Sequence, residues 1–149
     1  MMNIVWSLVG ILAGALIALQ APINAQLARG LGFPLAAAAA SFLAGAAALV
    51  LVTAVAAQAQ GVPIAWRAPP LWMFIAGGCL GAAYVTAAII LTPKLGAAAT
   101  MAFIVAGQLM AGLMLDHFGY FGLAVREVSI GRVGGALLLL AGALLIRFT

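Results

Sequence analysis

Five stretches of roughly 20 apolar residues, parted by short breaks of glycine, proline and basic residues, fill almost the whole chain. Backbone placed in hydrocarbon satisfies its own N–H and C=O groups only within a helix or a closed barrel. Runs this long read as helices. The first extends from about residue 3 to 27 and is ended by Arg29-Gly30-Leu31-Gly32-Phe33-Pro34. The second, about 34 to 59, stops at Gln60-Gly61-Val62-Pro63, and Trp66-Arg67-Ala68-Pro69-Pro70 completes that loop. The third, about 71 to 91, closes at Thr92-Pro93-Lys94-Leu95-Gly96. The fourth, about 96 to 117, leads into a loop carrying Arg126 and Glu127, and the fifth covers about 130 to 147. The connections are short, so neighbouring helices are expected to be antiparallel, within one domain over residues 1–149.

Composition agrees with a lipid setting. The chain is 68% apolar and 5% charged, against about 25% charged in soluble domains. The expected class is an all-α integral membrane protein of five transmembrane helices. The six Lys and Arg are scattered singly, as headgroup contacts are, and form no nucleic-acid footprint. Met1-Met2-Asn3 lacks a basic leader, so the first apolar run is expected to remain as a span. Cys79 is the single cysteine, which excludes an intrachain disulfide.

Basic residues in loops set membrane orientation. On the side of the N-terminus fall Arg67, Arg126 and Arg132; on the other fall Arg29, Lys94 and Arg147. Three against three gives no bias. The balance suits either a weak bias hidden in few residues or dual topology, with copies inserted both ways.

Polar side chains in such a chain are costly and are usually kept for a purpose. Gln20 and Asn24 are four apart on the first helix and share a face. Pro22 between them leaves the Ala18 carbonyl without its usual partner. Ser41 on the second helix and Tyr84 on the third are lesser polar candidates. Gln108 stands near the middle of the fourth helix. Asp116, one of two acids, and His117, the only histidine, stand at its end, about 13 Å from that middle at 1.5 Å per residue. Gln20, Asn24 and Gln108 are expected to line a shared polar space that binds solute. Asp116 and His117 are candidates for gating or coupling, unless they form only a hydrated helix end. Activity coupled to them would titrate between about pH 5 and 8, where histidine commonly changes charge.

Small residues mark packing faces. Ala37, Ser41, Gly45 and Ala48 form a ridge on the second helix, and Gly77 and Gly81 stand four apart on the third. Gly135 and Gly142 are seven apart on the fifth, as are Ala136 and Ala143. This seam suits packing within the chain or between two copies. A contact between copies is expected, since the fifth helix offers no polar group to a cavity. The chain holds no nucleophile–base pair, metal-ligand cluster or phosphate-binding glycine loop, so neither an enzyme nor a cofactor or metal site is expected.

The run Gln20-x-x-x-Asn24-x-x-Leu27, then Ser41-Phe42-x-x-Gly45, then Gly107-Gln108-Leu109 with Asp116-His117-Phe118-Gly119, resembles the small YdcZ-type family of the drug/metabolite transporter superfamily. The likeness covers the whole chain, and the segment from Gly107 to Gly119 is its most specific part. It implies a five-helix bundle equal to half of a ten-helix inverted-repeat transporter. It also implies that two copies, or a copy and a paralogue, complete one pathway for a small metabolite or drug-like solute. The seam of the fifth helix is similar to the dimerising helix of the small multidrug resistance proteins. Those exporters use a glutamate in the first helix, where this chain has only Gln20 and Asn24, so cation export by that route is not expected. An inverted pair reproduces the inverted repeat with an odd number of helices, which makes an antiparallel homodimer the expected assembly. Inversion would also bring Asp116 of one copy to the depth of Asn24 in the other, groups that lie roughly 20 Å apart along the membrane normal within one copy. A passive channel and a non-transporting assembly subunit are the alternatives.

Overall fold

The computed structural model describes residues 2–148. It contains α1 (Met2–Leu31), α2 (Pro34–Gln60), α3 (Leu71–Leu95), α4 (Ala97–Phe118), a 3₁₀ turn at Tyr120–Gly122, and α5 (Ile130–Phe148). All five α-helices are long and apolar enough to cross a membrane. Their apolar side chains face outward: in the most hydrophobic stretch of each helix only 6–17% of the residues are buried. Water could not solvate that surface, and lipid does. The chain is an integral membrane protein.

Glycines fix the helix ends. Gly61 closes α2 in the left-handed region at φ 62°, and the N–H of Val62 donates to the Ala57 carbonyl at 3.2 Å. Gly96, at φ 84°, is the single residue between α3 and α4. Two helices run further than their sequence suggests. Instead of stopping near Leu27, α1 continues through Arg29 and Gly30 to Leu31. Arg29 suits a last turn, where a cation meets the negative end of the helix dipole, and the break waits for Gly32 at φ 71°. Similarly, α3 continues through Pro93 to Leu95. Pro93 forgoes one hydrogen bond to the preceding turn but does not end the helix. Pro22 likewise lies inside a continuous α1.

The chain divides into two compact units, one extending to Ile90 and the other starting at Leu91. In the first, α1 packs along α2. Ala21, Asn24, Ala25 and Ala28 make one buried stripe of α1, at the three- and four-residue spacing of a helix face. Ala28 meets Ala37, Ala38, Val85 and Ile89 in a small core, with Tyr84 packed against it. Alanine on α1 and α2 lets the backbones approach closely. Gly81 of α3 serves Phe42 of α2: a Cβ there would lie 3.2 Å from the end of the ring.

In the second unit, α4 and α5 form a hairpin. Gly119 turns the chain in the left-handed region at φ 63°, and its N–H donates to the Leu115 carbonyl. A Cβ at Gly119 would lie 2.7 Å from Cγ2 of Val125, so the corner accepts only glycine without a shift. Ser129 begins α5 as its cap, its Oγ accepting from the Arg132 N–H at 3.3 Å, which satisfies one of the unpaired N–H groups of the first turn.

Candidate functional site

The polar side chains form two groups, one in each unit. In the first, Asn24 is buried and its Nδ2 donates to Oγ of half-buried Ser41 at 3.2 Å. This bond joins α1 to α2, as amides do between membrane helices. Gln20 lies one turn away yet is exposed, because the buried stripe of α1 passes through Ala21 and Asn24. Tyr84 is half-buried beside the small core, and its hydroxyl is enclosed without a hydrogen-bond partner among the described residues.

The second group lies along the α4–α5 hairpin. Gln108, Gly112 and Asp116 succeed one another at four-residue intervals and line a groove of about 430 Å³. Its opposite wall is Gly131, Arg132 and Gly135 of α5. Nη2 of Arg132 donates to Oδ2 of Asp116 at 2.9 Å, and both side chains are about one-third exposed. Nη1 of Arg132 donates to the Arg126 carbonyl at 3.4 Å, while the Arg126 N–H donates to the Asp116 carbonyl at 2.9 Å. The end of α4, the loop and the start of α5 are thus tied into one corner. His117 stays outside the pair. It is exposed, with its ring edge-on to Phe118 at a centroid distance of 4.9 Å.

Arg132 is the residue that sequence reasoning missed. It reads as a headgroup contact when basic residues are counted by side, and the fifth helix reads as having nothing polar for a cavity. The structure corrects the second point: Arg132 lies in the first turn of α5 and lines the groove. The available signal was that Asp116 and Arg132 fall on the same side of the membrane, and an acid at the edge of hydrocarbon needs a cation. Gly135 and Gly142, expected at a contact between copies, line grooves whose other walls belong to α4 of the same chain. Ala143 beside them is 1% exposed. A Cβ at Gly135 or at Gly142 would meet nothing within 4 Å, so both glycines stand in open troughs beside α4. Of the expected solute-binding residues, Asn24 and Ser41 are brought together, while Gln108 lines the groove with Asp116. Among the described residues, no three His, Cys, Asp or Glu side chains cluster to hold a metal ion.

Residues 5–145 match the family model described as "Putative inner membrane exporter, YdcZ". Over 75 residues the chain is 43% identical to the inner membrane protein YdcZ of Escherichia coli K12, a match covering 50% of each chain. The aligned part thus spans about half the length of that curated relative. No solved structure matches the chain significantly.

Proposed function

The chain belongs to the YdcZ family, and from that premise we propose that it is a secondary-type transporter of a small metabolite or drug-like solute. It is an integral inner-membrane protein, with five helices of spanning length. The observation that carries the reading is the α4–α5 groove. An uncommitted amide near the middle of a spanning helix and an ion pair at its end line one trough. Secondary transporters build their sites from such polar groups at membrane depth.

In this reading the working unit is an antiparallel homodimer that operates by alternating access. Balanced loop charges permit both insertions, and an odd helix count makes an inverted pair the natural counterpart of a ten-helix inverted repeat. Gln20 and Gln108, both exposed in the single chain, would then gain partners in the assembly or in the solute. A paralogue in the opposite orientation could take the place of the second copy. Coupling is assigned to the end of α4, where exposed His117 follows Asp116.

The test is uptake by proteoliposomes containing the purified protein. Accumulation of a solute against its gradient, reduced by Gln108→Leu without loss of folding, supports the reading. Replacement of His117 by Gln should flatten the pH profile of that flux. Passive, unsaturable flux would indicate a channel. No flux, together with a tightly bound partner protein, would indicate an assembly subunit.

A further inference from the structure

We propose that the α4–α5 groove binds a small zwitterion, a solute carrying both an ammonium and a carboxylate group. The proposal names the solute class for the transporter reading. It rests on that reading for the transport step alone, and binding stands without it. The charged end of the groove is half-committed. Asp116 uses Oδ2 for Arg132, and its Oδ1 has no partner among the described residues. Arg132 uses one donor on Asp116 and one on the Arg126 carbonyl. A guanidinium carries five N–H groups, so three remain. Because the two side chains are 29% and 32% exposed, a solute can reach both.

Charge balance selects the class. A lone carboxylate would leave two anions against one cation beside hydrocarbon, and a lone amine would leave two cations against one anion. Either leaves a charge uncompensated beside hydrocarbon, where a lone charge is costly. A zwitterion adds no net charge. Its ammonium donates to Asp116 Oδ1, its carboxylate accepts from the free guanidinium donors, and the existing pair stays intact.

The remainder of the groove fits the body of such a solute. Gly112, Gly131 and Gly135 withhold side chains from the trough, while Leu109 and Leu113 give it apolar walls. Gln108 stands at the far end, about 12 Å from Asp116 along the helix, and its amide has no partner among the described residues. A volume of about 430 Å³ lies in the range of small-molecule sites.

The test uses the purified full chain in lipid nanodiscs. Its melting temperature is followed with three zwitterions, L-methionine, L-glutamine and glycyl-leucine, and with the N-acetylated and the decarboxylated forms of methionine. At least one zwitterion should raise the melting temperature in a concentration-dependent way, and the two singly charged compounds should not. Arg132→Lys keeps the charge but loses the planar fork and should weaken binding roughly ten- to a hundredfold. A Cβ at Gly135 meets nothing within 4 Å, so Gly135→Leu puts a side chain into the groove while leaving Asp116 and Arg132 themselves unchanged. It should abolish the shift, and its unliganded melting temperature reports folding. No shift with any zwitterion, an equal shift with the amine or the acid alone, or a shift that survives Gly135→Leu overturns the proposal. Zwitterion binding without accumulation in proteoliposomes keeps the site and removes the transporter. Accumulation of another solute, without zwitterion binding, does the reverse.

Discussion

Asp116 and Arg132 each oppose the dipole of their own helix and each favour the dipole of the other. The carboxylate lies in the last turn of α4, at the negative end, and the guanidinium in the first turn of α5, at the positive end. Alone, each would be placed unfavourably. Joined at 2.9 Å, the acid approaches the start of α5 and the base approaches the end of α4, so both helix ends are compensated at once.

Breaking this pair should therefore cost more than an exposed salt bridge does. Asp116→Asn and Arg132→Gln should each destabilise the protein by about 1–3 kcal/mol, the range for hydrogen bonds to charged groups. The double variant should cost less than the sum. A double-mutant cycle on thermal or denaturant unfolding in detergent measures the coupling, and additive losses would show that the pair contributes nothing to the corner.

The corner also depends on Gly119. Gly119→Ala places a side chain in the left-handed region, at about 1–2 kcal/mol, and pushes its Cβ to 2.7 Å from Val125. Adding Val125→Ala should recover the steric part of the loss and leave the conformational part. Melting curves of the single and double variants separate the two. Full recovery would mean that φ at residue 119 is unimportant.

The helices were legible because hydrocarbon imposes them. A run such as Leu71–Leu91 has no other stable form in lipid. Helix ends were less legible. Arg29-Gly30 and Pro93-Lys94 look like stops, whereas the chain turns at Gly32 and Gly96, whose positive φ values (71° and 84°) a sequence does not display. The site was half legible. Asn24, Gln108 and Asp116 stand out against an apolar background, and rarity marks them. Their partners do not stand out. Nothing in the spacing of Ser41 or Arg132 says which of several helices it will meet, since pairing is decided by packing between segments distant in sequence.

Glycine contacts give a paired prediction on α3. A Cβ at Gly81 meets the Phe42 ring at 3.2 Å, whereas one at Gly78 meets nothing within 4 Å. Gly78→Ala should be neutral or stabilising by up to about 1 kcal/mol, from helix propensity alone. Gly81→Ala should gain less, and Gly81→Leu should separate α3 from α2 and lower the melting temperature markedly. Equal tolerance of leucine at both positions would contradict the α2–α3 packing.

Asn24 and Gln20 should respond oppositely. Asn24→Leu removes the bond to Ser41 and should cost about 0.5–2 kcal/mol, as interhelical hydrogen bonds in membranes do. Gln20 is exposed, so Gln20→Leu should leave unfolding of the isolated chain unchanged and still reduce flux. Unfolding curves and uptake rates, measured on the same preparations, check this. A Gln20→Leu protein with normal flux would place that amide outside the pathway.

The inverted pair is tested most directly by the orientation of the chains. Ala68→Cys, placed in the exposed loop beside Arg67 with Cys79 replaced by Ser, offers one thiol for labelling by an impermeant maleimide from one side of intact cells. Dual topology predicts that about half the copies react, and that the rest react only after the membrane is opened. Labelling of all copies, or of none, before opening would show a single orientation and contradict the antiparallel homodimer.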